Sequence, residues 1–252
     1  ILGSKHTCKQ IPEEIRILNI GDEIVTVSKS ARNIGVIMDS TLSMEGQVAA
    51  ISKGCYLGLW SIGRVRRYIS EETAKTLVNA YVTSKLDCNN TLLYKLPKQL
   101  LNRLQLIQNN AARLISNRRK YDSITHIKMD LHWLPIEYRI EYKINLITYK
   151  CVNHLAPAYL EELLEQYTPN RSLRSSSHHL LQEKRARTTL GDRAFSIYAP
   201  ILWNKLPETL KVLPTLNAFK AKLKTHLFKH AFNLEHIYWR TVTIICKLYL
   251  FL

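Results

Sequence analysis

Acidic residues are the first shortage in this 252-residue sequence, with 20 Asp+Glu against 36 Lys+Arg and a formal net charge of +16. That balance excludes an acidic, calcium-binding profile. Aspartate stands at six positions only, Asp22, Asp39, Asp87, Asp122, Asp130 and Asp192. No two are adjacent, and no spacing among them would hold Mg²⁺ for phosphoryl transfer. There is no P-loop, no G-x-S-x-G and no H-E-x-x-H. With 8 Gly and 8 Pro, the chain has little material for the many tight turns of a sandwich or barrel. The five cysteines, Cys8, Cys55, Cys88, Cys151 and Cys246, are odd in number and form no C-x-x-C pair. Neither a disulfide framework nor a zinc ribbon is indicated, and an intracellular, reducing setting in nucleus and cytoplasm is expected. Long hydrophobic runs are missing too. Residues 237–252 are apolar but interrupted by Arg240 and Lys247, and they fall short of the roughly 20 residues that cross a bilayer. A buried or unstructured tail is expected there, and no membrane partner.

What is present reads as a globular, mainly α protein. Hydrophobic residues make up 46% and charged residues 22%, too apolar a mixture for disorder. Residues 11–38 alternate weakly, with Asn19 to Asp22 as a turn, so a short β-element is predicted at the N-terminus. Helical spacing begins at Leu42 and runs through Val48, Ile51, Cys55, Leu59, Ile62 and Val65. Ser70-Glu71-Glu72 is an N-terminal cap for a second helix, and Pro97 opens a third whose apolar stripe includes Leu101, Leu104, Ile107 and Ala111. The opposite face of that third helix is expected to be basic. Asp122 or Ser123 caps a short helix to Leu131, and Pro135 opens a longer one ending at Cys151. Helical spacing fades between Thr168 and Gly191, then returns at Ala194 and again at Thr215.

Chemistry-bearing constellations are few. His178-His179 and the Cys151/His154 pair supply two metal ligands each, where a structural site wants four, and Cys151 lies on an apolar stripe. Neither catalytic nor metal-binding residues are assigned. The basic clusters are stronger: Arg64, Arg66 and Arg67; Arg118, Arg119 and Lys120 beside Tyr121; and Arg171, Arg174, Lys184, Arg185, Arg187 and Arg193. Arg103 and Arg113 lie within about 80° of each other on the third helix. Such Lys/Arg sets neutralise phosphates, and an adjacent aromatic can stack on an unpaired base. Sixteen of the cations are Arg, whose planar fork suits phosphate. Nucleic acid is therefore the expected partner, with a solvated basic surface as the plain alternative for any one cluster.

The strings Arg103-Leu-Gln-Leu-Ile-Gln-Asn-Asn-Ala-Ala-Arg113 and Leu131-His-Trp-Leu-Pro-Ile-Glu-Tyr-Arg139 resemble LINE-type, non-LTR (jockey-like) retrotransposon reverse transcriptases, in the region downstream of the polymerase active site. Ala156-Pro-Ala-Tyr-Leu160, Tyr167-Thr-Pro-Asn-Arg-Ser-Leu-Arg174, Gly191-Asp-Arg-Ala-Phe195, Trp203-Asn-Lys-Leu-Pro207 and Phe219-Lys-Ala-Lys-Leu-Lys-Thr-His-Leu227 extend the resemblance. It covers most of residues 1–232 in order and spacing. Ile1-Leu-Gly-Ser-Lys5 resembles the segment after the catalytic palm strands, and Arg32-Asn-Ile-Gly-Val36 the strand leading into the thumb.

The resemblance implies a palm remnant at 1–40, a helical thumb at 41–120, a helical connection at 121–167, a basic linker at 168–191, C-terminal helices at 192–232 and an apolar tail at 233–252. It implies a fragment of an RNA-directed DNA polymerase that grips RNA template and RNA–DNA or DNA duplex, with the upstream palm and fingers as its partners. These polymerases hold catalytic Mg²⁺ on an Asp-Asp pair. This chain has no Asp-Asp, so it is expected to bind no cofactor and to be inactive alone, the carboxylates lying before Ile1. Two further readings stay open: a non-catalytic nucleic-acid-binding module from a degenerate element, and a structural helical domain that binds another protein through its apolar stripes.

Overall fold

The computed structural model describes residues 3, 5–10, 12, 17–168 and 179–234. The chain divides into two compact units, Ile1–Asn89 with Lys95–Ile124, and Asn90–Tyr94 with Thr125–Leu252. The predicted fold class is observed: helices dominate, and the sheets among the described residues are two antiparallel hairpins near the N-terminus.

The first unit opens with a short helix, α1 (Lys5–Gln10), then β1 (Ile17–Ile20) paired to β2 (Glu23–Thr26), and β3 (Ser30–Asn33) paired to β4 (Val36–Asp39). α1 has no helical apolar pattern, which is why sequence reading passes over it, whereas β3 falls within the β-element predicted for residues 11–38. The run Ile34 to Met38 reads as one strand, yet its first two residues form the turn of the second hairpin. Ile34 has φ 45° and Gly35 φ 80°, the pair of left-handed residues that a type I′ turn requires. Gly35 meets that demand at no steric cost, whereas Ile34 is β-branched and strained.

Asp39 then joins the hairpin to α2 (Glu45–Val65). Its carboxylate accepts from the Thr41 hydroxyl at 2.6 Å and from the backbone N–H groups of Ser43 and Met44 at 2.9 Å. α2 packs against α5 (Lys98–Ile115) and against one long helix made of α3 (Glu71–Val78), a π turn (Asn79–Thr83) and α4 (Ser84–Asp87). Gly58 faces the π turn: a Cβ there would stand 3.2 Å from Tyr81 Cβ and 3.3 Å from the Tyr81 carbonyl oxygen. Glycine thus allows the close approach, and the Cys55 thiol donates to the Val82 carbonyl at 3.7 Å beside it. Val48, Cys55, Ala74, Val78, Val82, Ile107, Ala112 and Ile115 are fully buried in this unit.

In the second unit α9 (Phe195–Asn204) and α11 (Leu216–Ala231) pack on α7 (Ile136–Val152). The shorter helices are α6 (Thr125–Asp130), α8 (Ala158–Glu161) and α10 (Glu208–Lys211). The core is aromatic. Tyr149 stacks on Phe219 at 4.2 Å between centroids, and Trp203 sits 6.0 Å from the same ring. The polar tips of these side chains are satisfied, with the Tyr149 hydroxyl donating to the Leu213 carbonyl at 2.7 Å and Trp203 Nε1 to the His179 carbonyl at 2.9 Å. Gln166 bridges to Leu181, so the two ends of the basic stretch between them are held together.

Scarce glycine shows at the helix ends. Asn117, His132, His154 and Asn233 take φ between 51° and 55°. In each case the following N–H reaches back five residues: Arg118 to Arg113, Trp133 to Lys128, Leu155 to Lys150 and Leu234 to Lys229, at 2.8–3.0 Å. This is the Schellman closure of α5, α6, α7 and α11, built on Asn and His where glycine is usual.

Replacing Ile34 by Asn removes a strained β-branched residue that is 89% exposed. Stability should rise by about 1 kcal/mol, read as a higher urea midpoint. Asp39 gives a pH signature. Burial pushes its carboxyl up, but bonds from Thr41, Ser43 and Met44 outweigh burial and bring it from 3.8 down to about 2. Its contribution is therefore present above pH 3.8 and is lost as pH falls toward 2. Asp39→Ala should cost about 1 kcal/mol at neutral pH in urea melts, and that difference from the unmodified chain should shrink in this acid window.

Candidate nucleic-acid interface

α2 ends at Val65, and the 3₁₀ turn Arg66–Tyr68 follows. There the Arg66 side chain leaves its own helix for α5. Nε donates to the Leu114 carbonyl at 2.9 Å, Nη2 to the Ile115 carbonyl at 2.7 Å and Nη1 to the Ile69 carbonyl at 3.0 Å. The last carbonyls of a helix have no intrahelical donor and carry the negative end of its dipole. A guanidinium fork supplies donors and positive charge together. The C-termini of α2 and α5, 48 residues apart in sequence at Arg66 and Leu114, are thereby held side by side, with Arg66 of the first predicted cluster on the helix end that precedes the second.

Around this junction the cations are outward. Arg64 lies 5.0 Å over the Trp60 ring, Arg67 4.6 Å over Tyr68, and Lys120 5.5 Å over Tyr121. The rings are 60%, 72% and 89% exposed respectively. Past Ile115 the Schellman turn at Asn117 throws Arg118, Arg119 and Lys120 into solvent, and Asp122 accepts the Arg119 backbone N–H at 2.9 Å. Arg66 is occupied with backbone carbonyls. Arg103 is exposed on α5, whereas Arg113 is half-buried, donates to the Asn110 side chain at 3.3 Å and has its Nε buried without a hydrogen-bond partner. The outer face of α5 is mixed and not wholly basic, its exposed positions being Lys98, Gln99, Asn102, Arg103 and Leu106; Gln105 donates to the buried Gln108 and to Asn109 at 2.8 and 2.9 Å.

The third cluster belongs to the second unit. Arg171 and Arg174 lie outside the described residues, as does His178. Lys184 pairs with Glu165 at 2.7 Å, Arg193 donates to the Leu92 carbonyl at 3.1 Å, and Arg185 and Arg187 are exposed. Sequence reading missed α11 as a basic element. Its sixteen residues include Lys220, Lys222, Lys224, His226, Lys229 and His230 and no acid. The signal was available in the alternating Lys positions, but these form no contiguous run.

Other chemistry is thin. Burial pushes the Cys55 thiol up to about 11 against the pull of Lys85, and it does the same for Cys151 with Glu161 adding to it. Both stay protonated at neutral pH and are poor nucleophiles or metal ligands. His154 bonds Glu161 at 3.0 Å. Among the described residues no group of three or more His, Cys, Asp or Glu is placed to hold a metal, and no helix is long and apolar enough to cross a membrane. No protein-family model, curated protein or solved structure matches this chain.

Arg66→Ala should lower stability by about 2–4 kcal/mol in urea melts, because it strips two donors from α5 and one from Ile69. Arg66→Lys should recover less than half of that loss, since one ammonium cannot span the three carbonyls.

Proposed function

We propose that this chain is the post-palm, C-terminal part of a LINE-type, non-LTR retrotransposon reverse transcriptase. It grips RNA template and primer–template duplex by their phosphate backbones and leaves bond-making to carboxylates it does not contain. The motif series along residues 1–232 supports the family. The observation that carries the function is the Arg66 clamp, which fixes the end of α2 to the end of α5, each of those ends carrying exposed cations, Arg64 and Arg67 on one and Arg118, Arg119 and Lys120 on the other.

Clustered Lys and Arg displace condensed counterions from nucleic acid, and this favours binding without reading sequence. Holding a strand in register is itself a contribution to catalysis, because it converts encounter into positioned reaction. In the intact polymerase Mg²⁺ would belong to the palm, and the upstream palm and fingers would be this region's partners.

The test is a filter-binding titration of an RNA–DNA hybrid against salt. Affinity should fall steeply as salt rises, and the Arg118→Gln/Arg119→Gln/Lys120→Gln variant should flatten the log–log slope by about 1 for each phosphate it no longer neutralises. An affinity indifferent to salt would overturn the reading.

A further inference from the structure

The outer face of α2 is unusual for a solvated helix. Lys53, Tyr56, Leu57, Trp60 and Arg64 recur at steps of three, one, three and four, and all five are exposed. On 3.6-residue periodicity they fill one stripe about 100° wide. Tyr56 is 45%, Leu57 63% and Trp60 60% exposed, and no carboxylate interrupts them. Beyond the helix end the same pairing of ring and cation repeats at Arg67/Tyr68 and Lys120/Tyr121. Contiguous exposed apolar surface marks a binding site more often than chance. The chemistry of its occupant is limited by the cations: it offers flat apolar faces to the rings and negative charge to Lys53 and Arg64.

We propose that this stripe of α2, Tyr56, Leu57 and Trp60 between Lys53 and Arg64, holds unpaired nucleotides by stacking their bases on the exposed rings while the adjoining cations meet the phosphates. The inference rests on the nucleic-acid reading above and narrows it to single strand at this surface. A duplex buries the faces of its bases against each other and offers only groove edges, so exposed indole and phenol faces gain little from it. Every unpaired base has a free π-face, whatever its identity. A cation over one face of a ring leaves the opposite face for the base.

The experiment compares two probes on the full chain at one salt concentration by fluorescence anisotropy: a labelled oligouridylate 15-mer and a blunt RNA–DNA hybrid of similar length. Trp60→Ala should weaken oligouridylate binding roughly 5- to 100-fold, the range for one stacked base, and change hybrid binding less than about twofold. Trp60→Phe should restore most of the loss. Oligouridylate should also quench tryptophan emission in the unmodified chain and not in Trp60→Phe. Because Trp60 is exposed, the thermal melt of both variants should match the unmodified chain. Equal losses on both probes, or no loss on either, overturn the single-strand assignment, and the second result would hand this face to a protein partner. If the unmodified chain binds the hybrid without salt dependence, the underlying nucleic-acid reading fails with it.

Discussion

The guanidinium of Arg66, set on the terminal carbonyls of α5, decides what the surface of the first unit can do. Two helices that end in the same place bring two negative dipole ends together. Those ends favour nearby cations and offset the mutual repulsion of Arg64, Arg67, Arg118, Arg119 and Lys120. The side chains of this set are exposed, and so stay available to an external anion. Arg66 itself is spent in the process. The basic residue most central to the junction holds it together, while its flanking neighbours face solvent.

In both units, helix closure manages without glycine. Four helices end on Asn or His in the left-handed region, each with the carbonyl four residues before that residue satisfied by a backbone N–H. Asn tolerates that conformation because its short polar side chain can bond locally. At Asn117 this closure has a positional consequence. It ends α5 at its last turn and leaves Arg118, Arg119 and Lys120 exposed.

Much of the helical architecture was legible from apolar spacing and from proline. Pro97 and Pro135 stand where α5 and α7 begin, Ser70 accepts the Thr73 N–H as a cap at 3.2 Å, and Thr215 does so for Ala218 at 3.3 Å. The β-element was legible in kind and less so in bounds. Ser30–Asn33 forms a strand without an apolar pattern because backbone pairing to Val36–Asp39 supplies its order, and Ile34 reads as strand by composition while serving as a turn. At the junction, sequence identifies basic clusters but not their convergence, since nothing local to Arg66 says that its partners are the carbonyls of Leu114 and Ile115. The exposed rings were legible in part. Trp60 and Leu57 lie off the stripe of Val48, Cys55 and Ile62, so their outward position followed from the spacing, but an apolar stripe does not by itself mark its opposite side as an aromatic surface.

α2 therefore has two faces with separate duties. Its inner face is constrained at every turn: Gly58 by the backbone of the π turn, Cys55 by the Val82 carbonyl, and Val48 and Ile62 by burial. Large changes there cost packing that the unit cannot recover, because cavities and overpacking both destabilise a dense interior. Its outer face contributes little to that core, as exposures of 45–63% at Tyr56, Leu57 and Trp60 imply. Stability alone would accept Lys, Glu or Gln at these positions, and helix propensity would favour them over Trp and Tyr. A stripe that the fold does not need, flanked by cations that the helix ends hold in place, is consistent with a surface shaped by what it binds.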